Sequence, residues 1–233
     1  MKQQRFGFTL AEILITLGII GVVAAITIPG LMMNYKAHRL RSQFLKSYSV
    51  IQQVFRQMEA DEVSLDPKDY PLEGYYKVFG RYITGATDCG GQNQYGNPNA
   101  FNKPCFNHTK EKFTTLHGRF TTSLNPWVND GSWLMQDGSL LMFENGGDRF
   151  GSRVFVTVDL NGYGNPPDRL GYDVFTFQLV DNNLKTMGDK GTYWEDANIY
   201  CNPKSTNTLN GVACAFKAKN ETDYFKKILR KYK

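Results

Sequence analysis

The sequence has few of the residues that build catalytic and metal sites. Its 233 residues include three histidines and four cysteines, and no two cysteines form a Cys-x-x-Cys pair. It also lacks Gly-x-Ser-x-Gly, His-Glu-x-x-His and a Gly-rich phosphate loop. These are the patterns that position nucleophiles, zinc ligands and phosphate-binding backbone groups. We therefore predict that the chain is not an enzyme.

A strong excess of charge is also missing. The formal net charge is +5, and Lys2 and Arg5 supply two of the positive charges. The remaining basic residues are scattered, except in the segment 217–233, whose pattern predicts a short amphipathic helix or a docked tail. A weak and scattered positive charge does not indicate a nucleic-acid partner. We expect no nucleic acid to bind.

One region near the N-terminus lacks charge almost completely. Glu12 is the only charged side chain between Arg5 and Lys36, and residues 13–33 form a run of 21 residues without a charge. As a helix this run is about 31 Å long, enough to cross a hydrocarbon core of roughly 30 Å. The alternative is a cleaved secretory signal, but its apolar region is usually about 7–15 residues long. We favour a membrane anchor.

Glu12 stands at the mouth of this apolar run. A carboxylate there costs on the order of a few kcal/mol unless a partner neutralises it. A chain that keeps such a residue is expected to use its charge, so Glu12 is a candidate functional residue. A carboxylate that reaches into the aqueous interface is the alternative interpretation.

The residues around Glu12 carry a family resemblance. The segment 1–7, which ends in Gly7 and is followed by Phe8-Thr9-Leu10-Ala11-Glu12, resembles the leader and junction of type IV pilins and type II secretion pseudopilins. The resemblance covers roughly residues 1–35. It implies that residues 1–7 are a leader peptide, that a prepilin peptidase cuts after Gly7, and that Phe8 is then N-methylated. Counted from Phe8, Glu12 is fifth and Pro29 twenty-second, the positions where the family has an acid and commonly a proline.

The same resemblance implies a role for these residues in assembly. The α-amine of Phe8 would be largely protonated near pH 7, and Glu12 could pair with it in its own chain or in a stacked neighbour. Glu12 and Pro29 are therefore the predicted assembly residues. The implied partners are other pilin or pseudopilin subunits, prepilin peptidase, an inner-membrane assembly platform and the lipid bilayer. The implied location is the bacterial inner membrane, crossed once, with the globular part in the periplasm or outside the cell.

Helical periodicity continues beyond Pro29, which we expect to kink or loosen the helix. Apolar residues recur at spacings of three and four, at Leu40, Phe44, Tyr48, Ile51, Phe55 and Met58. The pattern predicts one N-terminal helix over residues 8–61, with a membrane segment over about 8–33 and an amphipathic spine over about 34–61. Residues 62–233 form the predicted extracytoplasmic globular domain. A group of cations just past the membrane segment is interpreted mainly as a solvated helix face, with lipid headgroups as the alternative: Lys36, Arg39, Arg41 and Lys46.

The globular part reads as an antiparallel sheet. Two short apolar segments, 133–135 and 140–143, flank Asp137-Gly138, which is a strong hairpin signal. Further strands are predicted within 153–159, 173–179 and 184–186. Residues 61–127 show little periodicity and predict long loops with one short helix. The predicted fold class is α+β, a long N-terminal helix packed on an antiparallel sheet with long disulfide-bridged loops, and the pilin resemblance implies the same layout.

The four cysteines favour two local disulfides. Cys89 with Cys105, and Cys201 with Cys214, each bracket a loop rich in Gly, Asn and Pro. Four cysteines allow three connectivities, which the sequence does not separate. Zinc is the rival, but the three histidines do not frame the cysteines. In an oxidising compartment each bridge would contribute about 2–4 kcal/mol.

One loop after a predicted strand has alternating oxygen side chains. Asp159, Asn161 and Asp168 lie in it, and Asp173 follows on the next strand. Such oxygens suit calcium, and some pseudopilins bind calcium in a loop beside their sheet. The loop departs from an EF-hand because Tyr163 occupies the fifth position and no Glu closes it. A turn held by Asx hydrogen bonds is the other interpretation, and both remain open.

Two functional hypotheses follow. The first is a structural subunit, pseudopilin or minor pilin, of a helical filament assembled through its N-terminal helix. The second is a membrane-anchored extracytoplasmic binding module that does not polymerise and uses loops between residues 80 and 130.

Overall fold

The computed structural model describes residue 7 and residues 9–71, 74–91, 113–119, 128, 130–145, 151–162 and 165–232. Within them, one long helix packs along a six-stranded sheet, and short helices from the C-terminus complete the core. The predicted α+β class is confirmed.

Helix α1 spans Leu10–Ala60, 51 residues or about 77 Å. It continues through Pro29, although proline has no N–H to donate to the carbonyl of Ala25. Only its second half is buried in the protein. The buried side chains recur at helical spacing and confirm the predicted apolar stripe: Ala37, Leu40, Phe44, Ser47, Ile51, Val54, Phe55 and Met58.

The sheet is a meander in which each strand pairs with the next one along the chain, always antiparallel. Its centre is covered on both sides, since every residue of the fourth strand is buried. The strands are β1 (Thr87–Gly90), β2 (Gly131–Leu134), β3 (Leu140–Glu144), β4 (Val154–Asp159), β5 (Val174–Val180) and β6 (Asn183–Thr186).

The hairpin predicted around Asp137-Gly138 joins β2 and β3, and the three further predicted strands are β4, β5 and β6. The turn is fastened to the long helix by Lys46, whose Nζ lies 2.6 Å from Asp137 Oδ2. Strand β1 falls in the stretch for which only loops and one helix were predicted. That stretch also contains a 3₁₀ turn at Pro67–Asp69 and helix α2 at Gly74–Gly80.

Three short helices follow the sheet: α3 (Ala197–Tyr200), α4 (Cys214–Asn220) and α5 (Tyr224–Lys231). Helix α5 confirms the predicted amphipathic C-terminal segment, because it buries Phe225 and leaves its cations outside. The core here is aromatic. The Phe44 ring lies 4.9 Å from the Phe175 ring, 5.7 Å from Phe177 and 6.0 Å from Phe225, which joins α1, β5 and α5.

A disulfide joins Cys201 and Cys214, as predicted, with a Cα–Cα distance of 5.0 Å. It links the end of α3 to the start of α4. Cys89 lies on β1 and is also disulfide-bonded. Cys105, its predicted partner, lies outside the described residues.

Candidate functional site

The first half of α1 is not covered by any other part of the chain that the structure describes. Its large apolar side chains point into open space, with Leu10 77% and Ile26 74% exposed. Gly18 and Gly21 leave gaps on its surface, because a Cβ at either position would meet nothing within 4 Å. A continuous exposed apolar surface of this length requires a cover of lipid or of other helices.

Glu12 is fixed in the first turn of this exposed half. Thr9 N and Thr9 Oγ1 each donate to Glu12 Oε2 at 2.8 Å, and Glu12 N donates to Thr9 Oγ1 at 3.3 Å. This reciprocal arrangement is a capping box. The other oxygen, Oε1, accepts no hydrogen bond from the described part of the chain. The capped carboxylate therefore keeps one oxygen for a further donor.

Thr9 is the residue that our sequence reasoning missed. The pattern Thr-x-x-Glu ahead of an apolar run is a recognisable helix start, and it overlaps the junction that carries the family resemblance. Gly7 is exposed and lies outside the helix, where a peptidase can reach the backbone. Phe8, the predicted first mature residue, lies outside the described residues.

The acidic loop forms a well-bonded turn after β4. Asp159 Oδ1 accepts hydrogen bonds from the backbone N–H of Asn161 at 3.2 Å and of Gly162 at 3.1 Å. Gly162 has a φ of +73°, and a Cβ there would lie 1.6 Å from the Gly138 carbonyl oxygen. Only glycine can adopt this backbone so close to another turn. The Asx turn is therefore present.

Three carboxyl groups meet beside this turn. Burial raises the pKa of Asp159 well above its usual range, and the charges of Asp173 and Asp168 raise it further. Burial also raises the pKa of Asp173 to about 7, and it raises the pKa of Asp168. Asp173 is 1% exposed. Its Oδ1 accepts from Arg169 N at 2.6 Å, whereas its Oδ2 accepts no hydrogen bond from the described residues.

The donor chemistry of this cluster suits calcium only in part. The buried Oδ2 of Asp173 and Oδ1 of Asn161 are free oxygens, but the described residues include no group of three His, Cys, Asp or Glu side chains arranged to hold a metal. The hydrogen bonds of Asp159 and Asp173 to backbone N–H groups account for much of the geometry. Calcium binding at Asp159, Asn161, Asp168 and Asp173 stays a prediction.

Comparison with known proteins adds one match. Residues 2–28 match the family described as the prokaryotic N-terminal methylation motif. No curated protein and no solved structure matches the chain. Helix α1 is also long and apolar enough to cross a membrane, and its most apolar stretch is not buried in the protein.

The motif lies where the exposed half of α1, the capped Glu12 and Gly7 come together. It supports a pilin-type substrate of prepilin peptidase, which assembles with other pilin-type subunits. With the apolar helix, it fits a protein anchored in a membrane by a single span. Residues 2–28 thus carry the signature of type IV pilins and pseudopilins.

Proposed function

We propose that this protein is a structural subunit, a pseudopilin or minor pilin, of a type II secretion pseudopilus or a type IV pilus-like filament. Prepilin peptidase cuts it between Gly7 and Phe8, and the first half of α1 then drives assembly. The observation that carries the proposal is the methylation motif over residues 2–28, which overlaps the half of α1 that the described residues leave exposed.

Assembly follows from the chemistry of that helix. In the membrane, lipid covers the apolar surface from Leu10 to Met33. In the filament, the same surface of neighbouring subunits replaces lipid, with Gly18 and Gly21 allowing close approach. Glu12 Oε1 then accepts from the methylated amine of Phe8 of an adjacent copy. Contacts of this head-to-tail kind do not close and therefore build a fibre.

The proposed orientation places the globular domain, residues 62–233, outside the cytoplasm. Lys2 and Arg5 on the short N-terminal side favour a cytoplasmic N-terminus. The disulfide between Cys201 and Cys214 is typical of an oxidising compartment such as the periplasm. The inner-membrane assembly platform is the proposed partner at the start of filament growth.

The test is the intact mass of the chain recovered from membranes of cells with and without prepilin peptidase. We expect the peptidase to remove residues 1–7 and leave a methylated Phe8, and we expect cells without it to keep the full leader. Retention of the leader in both strains would contradict the proposal. It would favour a membrane-anchored binding module that does not polymerise.

A further inference from the structure

An apolar groove of about 530 Å³ lies where α1 leaves the globular domain. One wall is a single face of α1 with Met32, Tyr35, Lys36 and Arg39, which follow one another at helical spacing. The opposite wall comes from the segment before β5 and from the C-terminal end of α5, with Tyr172, Leu229 and Tyr232. The lining is apolar at the membrane end and becomes basic at the other end.

Two of the three tyrosines that line this groove contact cations. Lys36 Nζ lies 5.4 Å from the centre of the Tyr172 ring. The Arg169 guanidinium carbon lies 5.7 Å from the Tyr172 ring and 5.4 Å from the Tyr232 ring, so one side chain links both. The Tyr232 hydroxyl oxygen is buried and has no hydrogen-bond partner among the described residues. The groove thus combines an apolar floor with positive charge.

Lys36 and Arg39 also lack acidic partners. In the described part of the chain neither forms an ion pair, whereas the two cations that follow on α1 are engaged. Arg41 Nη1 donates to the Glu221 carbonyl at 3.0 Å, and Lys46 pairs with Asp137. The cations predicted as one solvated face therefore separate into two pairs: Arg41 and Lys46 bond to oxygens of the domain, whereas Lys36 and Arg39 form no ion pair within the described residues.

Asp173 lies with Lys36 and Arg39 in the lining of an adjacent polar cleft. Its side chain is buried, and in the described part of the chain it forms no ion pair with either cation. Arg230 and Lys231 on α5 are exposed close to the Leu229 and Tyr232 wall. The open side of the groove is therefore positive.

Position along α1 identifies the occupant. Lys36 lies 24 residues after Glu12, about 36 Å along the helix axis. A bilayer with its headgroup layers is about 40–45 Å thick. With Glu12 in one interfacial layer, Lys36 and Arg39 reach the opposite one, where tyrosines and cations gather.

We propose that, before assembly, this groove binds an anionic phospholipid of the surrounding bilayer. One acyl chain lies along Met32 and Leu229, and the phosphate contacts Lys36 and Arg39. The inference rests on the proposed membrane anchoring. It assigns the groove to lipid, whereas a neighbouring helix of a second copy is the competing occupant.

The experiment uses the processed full chain in nanodiscs of phosphatidylcholine with phosphatidylglycerol. The protein is released from the nanodiscs under mild conditions, and native mass spectrometry measures its mass with the lipid that stays bound. We expect retained phosphatidylglycerol on the wild type and about tenfold less on the double variant Lys36→Gln/Arg39→Gln. The control Arg56→Gln/Lys204→Gln removes the same charge from exposed positions, with Arg56 about 25 Å further along α1. It should retain lipid like the wild type. Equal retention by all three proteins would overturn the proposal.

A second measurement separates lipid from protein as the occupant. A photo-crosslinking benzoylphenylalanine at Met32 should add the mass of a phospholipid in the membrane fraction. Crosslinks only to a second copy of the chain would assign the groove to a subunit interface and overturn the lipid proposal. A chain that alkaline carbonate extracts from membranes is not anchored, and that result overturns the proposed function as well.

Discussion

The two halves of α1 share one continuous helix but differ in what covers them. From Ala37 onward one apolar face of the helix packs into the domain, where Phe44, Ile51 and Met58 are fully buried. Before Met33 the helix is more apolar, yet its side chains are exposed. Hydrophobicity alone therefore does not tell which half belongs to the domain. Amphipathic spacing marks the half that folds inward, and a run without charges marks the half that needs an external cover.

Removal of the charge at the exposed end of α1 should have the largest effect. In Glu12→Ala we expect normal cleavage after Gly7 but roughly a hundredfold less filament incorporation, because the amine of the adjacent copy loses its buried partner. Immunoblots of sheared filaments against membranes measure both steps. The control is Glu59→Ala, an exposed acid in the second half. Normal incorporation of Glu12→Ala would remove the proposed role.

Substitutions in the second half of α1 should change the stability of the domain and not filament assembly. Phe44→Ala empties the junction of α1, β5 and α5, and should cost about 3–5 kcal/mol. Denaturant unfolding of the full chain in detergent measures the loss. Its neighbour Leu45 is 38% exposed, so Leu45→Ala should cost less than about 1 kcal/mol. Similar losses for both variants would mean that the described core is misplaced.

The disulfide between Cys201 and Cys214 should contribute to the stability of the domain. Replacing Cys201 and Cys214 by serine should lower the free energy of unfolding by about 3 kcal/mol, since the bridge closes a loop of 13 residues. Leader cleavage should not change, because the bridge lies far from Gly7. A double variant that unfolds at the wild-type denaturant concentration would show that the bridge adds nothing.

The buried carboxyls predict an unusual pH dependence. The pKa of Asp173 in the folded chain is about 7, above its unfolded value of about 3.9. Its contribution to stability is therefore complete below about pH 4 and is lost as the pH rises through 7, and between pH 5 and pH 8 the loss is roughly 2–3 kcal/mol. With a chelator present, the wild type should unfold more easily at pH 8 than at pH 5.

Two variants separate the contribution of Asp173 to this pH dependence from that of other acidic residues. Asp173→Asn should flatten the dependence, although Asp159 and Asp168 shift in the same direction. Asp181→Asn, at an exposed turn, should leave it unchanged. A dependence that Asp173→Asn does not alter would contradict the assignment. Repeating the series with calcium tests the metal prediction, because a bound cation would restore stability at pH 8.

The smallest expected effect concerns the helix start. Thr9→Val removes the hydroxyl that caps α1 and bonds Glu12, at a cost of about 1 kcal/mol in helix stability. We expect filament incorporation to fall by about threefold, with cleavage intact, since Glu12 keeps its charge but loses its fixed position. Thr9→Ser keeps the hydroxyl and should behave like the wild type. Equal filament incorporation of the two variants would show that the cap has no role in assembly.

Much of this architecture could be predicted because its signals are local. The Asp137-Gly138 turn, the valines of β4 and the spacing from Leu40 to Met58 each encode an element within a few residues. Strand β1 could not be found in this way, since it has four residues and an irregular register against β2. It is a strand only because β2 lies beside it.

The candidate sites also differ in whether local sequence signals predict them. Gly7, Phe8 and Glu12 follow from a contiguous motif, and Thr9 could have been read from its capping pattern. The groove proposed to bind lipid could not be predicted from the sequence, because tertiary packing across most of the chain brings Lys36, Tyr172 and Tyr232 together. The same packing buries Asp173 beside Asp159.

In the proposed filament, neighbouring subunits cover the first half of α1. A photo-crosslinking benzoylphenylalanine at Ile19 tests this contact, compared with one at Ser49 in the second half, both in the sheared filament fraction. We predict that Ile19 crosslinks to pilin-type subunits, its own copies included, and that Ser49 does not. Crosslinks from Ile19 to lipid alone, or equal protein crosslinks from both positions, would contradict the account.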